Sequence, residues 1–499
     1  MFTDEHKREV WDEIRQHDLQ AFKRWLTPKL FTEAATIAQI RLGNGPLYAV
    51  NLVWLGLASA LHMGKDFASV LSLTMKLLSD APGFGQTRLG KERIKVRRPK
   101  PRRGKGQGQR SKHDPYGGNP TEVSEEAFSK ARRLMSLEYW LALLLLLTER
   151  FEAQHSKLVR FKGFRLLAMD GTNISMPNWK RLKSYFGTAQ TKGKGRTVQA
   201  RMVMLQMPLA RLPYRYELAP LSEGETTLAM RLAGHVRRND LVLIDRGFFS
   251  YALFYEIHQR RAYFGIRLKK GVNIKTIRRL GSRERLVQWA PCAPIMSKWR
   301  KQGLTLPSSM TLRVIDYQIP GFRKSAVVTN VLDPAKLSRD EWIRMIRDKE
   351  SARNLQPGLY HRRWEIETTF KEMKIAMKLK GGLRSRTPEG IRYEIAGHVL
   401  LYLLVRWTIV EAAQRHGYAP LELSFTNALR EVLNMSQTLL TATPRRIAKV
   451  LLPRLLERIA SHQVAPRPGR HFPRPNDTKV KNKGNGRLQK PAKLQTRQG

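Results

Sequence analysis

An α/β fold, a mixed sheet flanked by helices with a β-rich insertion, is what three features of the sequence predict. FRLLAMD (164–170) and LVLID (241–245) are short continuous apolar runs, as expected of strands buried on both faces. Each ends in an aspartate, Asp170 and Asp245. Between them TVQARMVMLQM (197–207) and YRYELAP (214–220) alternate across a Pro-containing turn and read as a hairpin.

The remaining elements come in order along the chain. Residues 1–87 read as a helical N-terminal domain, with helical apolar spacing in VWDEIRQHDLQAFKRWL and a longer apolar stretch near Pro46–His62 that reads as a buried helix. Residues 88–115 read as a basic linker, and 116–160 as helices entered through an acidic first turn that suits the helix dipole. The core opens over 161–268 with strand, hairpin, helix (223–237), strand, helix (249–260) and strand (262–268). Residues 269–340, with MTLRVIDYQI and SAVVTNVL, read as an inserted β-rich subdomain without a helix until about Arg339. The core resumes over 341–410, C-terminal helices occupy 411–460, and 461–499 is a basic tail.

Charge narrows the function. The 499 residues hold 91 Lys and Arg against 41 Asp and Glu, a net charge of +50, which points to a polyanionic partner. The excess is uneven: residues 1–87 are neutral, 88–112 carry +11, 461–499 carry +9, and the middle keeps +30. The two basic tracts are too poor in large apolar residues to offset their ordering entropy and read as disordered arms suited to a nucleic-acid backbone. A lone cysteine, Cys292, excludes a disulfide framework and a Cys-rich zinc module, and fits a reducing compartment. No secretory signal opens the chain, no membrane role is expected, and no Walker-type loop supports a nucleotide cofactor. The short Lys192-Gly193-Lys194-Gly195-Arg196 run is a weak phosphate-contact candidate.

Ligands of α/β sheets gather beyond the carboxyl ends of strands, so Asp170 and Asp245 are candidates for one site, and a third acid would make it a metal site. Helical geometry selects that acid within LYHRRWEIETTFKEMK (359–374). At about 100° per residue, Tyr360, Arg363, Glu367 and Lys374 share one face, whereas Glu365 and Glu372 point away. Ile366, Phe370, Met373 and Met377 form the adjoining apolar stripe. His361 falls off the polar face.

These residues carry a resemblance. Asp170 in MDGTN, Asp245 in IDRGF, and the run Tyr360, Arg363, Glu367, Lys374 resemble the DDE transposases of the insertion-sequence family 4 type, whose Tyr-Arg-Glu-Lys spacing is matched without a gap. LRSRTPEGIRYEIAGHVLLYLLVRW (383–407) also resembles that family's sequence beyond the motif, so the likeness covers about 160–410. It implies an RNase H-like core and a catalytic, metal-holding triad of Asp170, Asp245 and Glu367. It further implies two Mg²⁺ ions, with Mn²⁺ substituting, and DNA contacts from Tyr360, Arg363 and Lys374. Two hard divalent ions held by oxygen ligands suit phosphodiester cleavage and strand transfer. The implied partners are double-stranded DNA, both transposon ends and target, and a second copy of the chain that brings two ends together. A bacterial cytoplasmic location at the nucleoid goes with this reading. Trp289 and Trp299 in the insertion are weighed as base-stacking residues and as core. A catalytically inactive end-binding relative is the alternative function, and a nucleic-acid packaging protein would spread its charge evenly, unlike this chain.

Overall fold

The computed structural model describes residues 20–42, 47, 49–62, 125–191, 195–318, 324–343, 346–347, 355–356, 358–440 and 444–464. The 88–112 tract, the tail beyond residue 464 and Lys192 to Lys194 lie outside the described residues.

Eleven strands form one sheet: β1 (Arg160–Phe161), β2 (Phe164–Ser175), β3 (Thr188–Thr191), β4 (Gly195–Met207), β5 (Leu212–Pro220), β6 (Asp240–Ile244), β7 (Tyr263–Arg267), β8 (Ile274–Gly281), β9 (Glu284–Trp289), β10 (Met310–Tyr317) and β11 (Ser325–Thr329). Its centre runs β5-β4-β2-β6-β7. β5, β4 and β2 are antiparallel neighbours, while β2, β6 and β7 are parallel. An antiparallel meander and then two parallel strands, each reached through a helix, make the RNase H-like arrangement. The crossover helices are Glu225–Ala233 before β6 and Tyr251–Gln259 before β7.

Burial explains why LVLID is uninterrupted. Val242 and Ile244 enter the main core, whereas Leu241 and Leu243 enter a second cluster on the opposite side with Ile315, Val327, Leu337 and Trp342. A strand covered on both faces needs apolar residues at every position. The strands of the insertion do not stand apart from this sheet. β11 pairs antiparallel with β7, and β10, β9 and β8 extend the sheet outward from it.

Three features depart from the sequence reading. Asp170 does not end β2; the parallel pairing with β6 stops at Met169, but antiparallel pairing with β4 continues to Ser175. A helix (Lys180–Phe186) and β3 come next, built from a polar stretch with little apolar periodicity. The insertion also contains a helix, Ala293–Lys301, capped at Cys292 with proline in its first turn, where the sequence suggests none before about Arg339. Its exposed, strongly basic sequence hides the periodicity, for only Met296 and Trp299 pack partly against the core.

A 28-residue helix, Pro388–Arg415, underlies the sheet and is long and apolar enough to span a bilayer, yet 94% of its most apolar window is buried within the fold. The Ala49–Leu61 helix packs on it, its residues from Asn51 onward all buried, as expected for the Pro46–His62 stretch. The contact is backbone to backbone: a Cβ on Gly397 would lie 2.6 Å from the Gly56 carbonyl oxygen. Trp25 stacks on Trp407 at 4.7 Å between ring centres, so the described N-terminal helices share the main core.

This packing is open to test at two positions. Gly397→Ala must push the two helices apart and should destabilise by about 1–3 kcal/mol, seen as a lowered thermal midpoint. Gly281→Ala, whose added methyl meets nothing within 4 Å, should leave the midpoint unchanged. An equal response from both would refute the close contact. On the same helix, burial lowers the His398 pKa to about 4, although Nδ1 lies 2.7 Å from the Glu394 carbonyl oxygen. Unfolded, the imidazole titrates near 6.5, so between these values the unfolded chain binds a proton that the native state refuses. Stability is therefore lost as pH falls from about 6.5 towards about 4. The fall in urea midpoint between neutral and acid pH should be smaller for His398→Gln than for wild type. An identical fall would count against the buried neutral imidazole.

Candidate active site

Strand register sets two acids side by side. The last parallel pair of β2 and β6 is Met169 with Ile244, so Asp170 and Asp245 come next on neighbouring strands. Each has one oxygen tied to backbone. Asp170 Oδ1 accepts from the Gly171 N–H at 2.8 Å, and Asp245 Oδ2 accepts from the Gly247 N–H at 2.9 Å, capping a 3₁₀ turn at Arg246–Phe248. The remaining oxygens, Asp170 Oδ2 and Asp245 Oδ1, face a common point.

The third acid arrives on a segment that is not a uniform α-helix. Leu359–Trp364 winds as a 3₁₀ helix, Glu365–Lys371 as an α-helix, and Glu372–Ala376 as a π-helical turn. Mixed pitch of this kind recurs at functional sites. Arg363 lies in the last turn of the tight section and Glu367 in the first turn of the α-helix.

The common point is one nitrogen. Arg363 Nη1 lies 3.3 Å from Asp170 Oδ2, 3.3 Å from Asp245 Oδ1 and 3.2 Å from Glu367 Oε1. The guanidinium side chain is only 4% exposed, against 44% for Glu367. Burial pushes the Asp170 carboxyl up to about 7; the Gly171 N–H and Arg363 oppose this, while Asp245 and Glu367 add to it. Burial also works against the Arg363 charge, but Tyr360 and the three acids more than offset it, and its pKa is raised.

Tyr360 and Lys374, the other members of the polar face, brace the same strands. Tyr360 donates its hydroxyl proton to the Ile244 carbonyl at 3.1 Å and accepts from the Arg267 N–H at 3.1 Å. It ties the ends of β6 and β7 together just below Asp245, and burial raises its pKa to about 12. Lys374 Nζ donates to Thr172 Oγ1, two residues past Asp170 on the same face of β2, and burial lowers its pKa. Beside Asp245 a cleft of about 300 Å³ is lined by Asp245, Arg246, Gly247, Arg267, Lys269, Arg363 and Trp364. Its lining is suited to phosphate. Trp289 is buried against Phe249, Tyr251 and Phe254, hence a core residue, whereas Trp299 is partly buried beside Lys298.

The groups that hold this helix from behind leave no trace in residue spacing. Glu365 and Glu372 turn away from the acids, as the helical wheel indicates, but into a partly buried ion network. Arg211 in the β4–β5 turn bonds to Glu365 at 2.7 Å and to Glu372 at 3.1 Å. Arg406 and Tyr402 of the long helix also reach Glu372 Oε2. Nothing local in the sequence marks Arg211, since its partners lie more than 150 residues away.

The three acids offer the hard oxygen donors that divalent cations prefer, and they already surround a positive charge. Their donor chemistry fits a divalent ion. They stand, however, around Arg363 rather than at coordination distance, and among the described residues no three His, Cys, Asp or Glu side chains form a ready metal cage.

Known proteins share this domain. A family model described as a transposase DDE domain matches residues 162–404. The transposase InsG of insertion sequence element IS4 from Escherichia coli K12 is 27% identical over 341 residues, covering 67% of this chain and 72% of that protein. The putative transposase InsZ of the same organism is 28% identical over 100 residues, 20% of this chain and 33% of that one. A solved structure of a piggyBac transposase synaptic complex with hairpin DNA overlays with a TM-score of 0.31 at 9% identity, spanning 61% of this chain and 58% of that one. The RNase H-like sheet and the matched domain define a DDE transposase. Within that class, the chain is similar over two-thirds of its length to the transposase of insertion sequence element IS4.

Arg211→Met should remove the ion pair of Glu365, leaving it only the nearby Arg362 charge, and leave Glu372 with Arg406 as its one ion-pair partner. One-sided loss of a partly buried pair predicts destabilisation of up to about 3 kcal/mol, read by urea unfolding, with Arg211→Lys recovering part of it. Unfolding indistinguishable from wild type would show the network to be idle.

Proposed function

We propose that this chain excises and inserts an insertion sequence: it binds the element's ends, cleaves the DNA strands there and joins the freed ends to target DNA. The observation that carries the reading is the convergence of Asp170, Asp245 and Glu367 on a single cation-sized point beside a basic cleft. The binding-only alternative is not favoured, because all three acids are present and brought together.

In this reading Asp170, Asp245 and Glu367 would together hold two divalent ions, with Mg²⁺ as the ion and Mn²⁺ as a substitute. When bound, such ions activate a water for attack on the phosphodiester and stabilise charge on the attacked and leaving oxygens. The protein's own groups do the positioning. The hydrogen bonds from Gly171 and Gly247 fix one oxygen of each aspartate and leave the other free. Tyr360 anchors the strand ends beneath Asp245, and Lys374 at Thr172 puts a positive charge along β2 for the DNA backbone. Arg246, Arg267 and Lys269 supply phosphate contacts in the cleft. The 3′-hydroxyl freed by cleavage is then the nucleophile for joining. Two ends must meet for insertion, which requires a homodimer, and no nucleotide cofactor enters the scheme.

The test is cleavage of an end-containing duplex in Mg²⁺. Asp170→Asn, Asp245→Asn and Glu367→Gln should each reduce nicking by about a thousandfold or more while end binding in gel shifts persists. Nicking that survives any of the three substitutions would exclude this triad.

A further inference from the structure

Arg363 is placed differently from a residue waiting for DNA. One of its nitrogens meets three carboxylates, at 3.2 to 3.3 Å, longer than the about 2.7–2.9 Å of strong charge-assisted bonds. A terminal guanidinium nitrogen carries two hydrogens, so it cannot donate to all three acids at once. The paired fork that makes arginine a firm carboxylate partner is not used here, and Nε is buried without a hydrogen-bond partner. The contact therefore neutralises charge but is geometrically poor. A divalent ion offers twice the charge and no such limit on the number of oxygen ligands.

The way out is also present. The guanidinium lies 4.4 Å over the Trp364 ring, and both residues line the cleft of about 300 Å³ with Arg246, Arg267 and Lys269. A small rotation would carry Arg363 from the acids into a space suited to a DNA phosphate, where the fork can bond bidentately.

We infer that Arg363 is the internal counter-ion of the three acids, occupying the position a divalent cation takes and moving to a DNA phosphate when that cation enters. This rests on the proposed use of the acids as metal ligands. It makes Arg363 a positioning residue that couples two binding events: DNA tightens metal binding by giving the displaced guanidinium a partner, and metal tightens DNA binding by the same factor. Metal-free protein keeps its acids gathered without collapse or mutual repulsion.

The experiment measures Mn²⁺ binding to the full chain by electron paramagnetic resonance, with and without an end duplex. Arg363→Gln should bind Mn²⁺ about tenfold more tightly than wild type or better without DNA, since a competing charge within about 4 Å is removed. Arg363→Lys, which keeps the charge, should stay near wild type. Added duplex should tighten Mn²⁺ binding more in wild type than in Arg363→Gln. Thermal melts supply a check independent of metal affinity: Arg363→Gln should melt lower than wild type in chelator and regain more on adding Mn²⁺. If both proteins bind Mn²⁺ with equal affinity and equal response to DNA, the exchange is overturned while the metal site stands. If neither binds Mn²⁺ even with DNA, or Asp170→Asn and Glu367→Gln together bind it as well as wild type, the metal reading fails and this inference with it.

Discussion

Like charge held together is the constraint around which this fold is organised. Asp170, Asp245 and Glu367 come from stretches of chain separated by 75 and 122 residues, yet all three address one nitrogen. Two carboxylates within about 6 Å of one another repel by roughly 2–3 kcal/mol at an effective dielectric of about 20. Such a cluster persists only if a cation sits among the acids and the backbone beneath them is stiff. Arg363 supplies the first, and burial of Asp170, whose carboxyl is pushed up to about 7, shows how strongly the site disfavours uncompensated negative charge.

The stiffness comes from the parallel pair at the centre of the sheet. β6 is covered on both faces and cannot shift register by one residue without turning its apolar side chains into the wrong cluster. Tyr360 pins its last carbonyl to the segment that delivers Glu367. That segment is gripped from behind by Arg211 and by Arg406, the latter on a helix whose most apolar stretch is almost wholly buried. Sheet, hairpin turn and long helix thus each fix one side of the same short stretch, and the insertion lengthens the sheet on its far side while its first residue, Lys269, lines the cleft.

Legible and hidden features of the sequence have separate physical causes. Apolar runs buried on both faces leave a direct trace, so FRLLAMD, LVLID and the hairpin between them are legible, as is the pattern that selects Glu367 over Glu365. The Lys180–Phe186 and Ala293–Lys301 helices are not, because helices lying on the surface among basic residues leave only a faint apolar stripe. The position of Arg363 is hidden for a different reason. A helical wheel assumes one pitch, whereas this chain tightens to 3₁₀ before Glu365 and widens to a π turn after Lys371. Spacing puts Arg363 on the right face but cannot distinguish a residue facing DNA from one already paired with the acids. The Arg211 network is invisible because it joins residues far apart in sequence, without any periodicity to betray it.

The central claim is that three distant stretches of chain form one cation centre, and iron-directed cleavage tests it most directly. Fe²⁺ bound in place of Mg²⁺ generates hydroxyl radicals that cut the nearest backbone in the presence of ascorbate and peroxide. The account predicts cuts near 170, near 245 and near 363–367 in the same preparation, all suppressed by excess Mg²⁺. Cleavage confined to one of these stretches, or centred elsewhere in the chain, would contradict it.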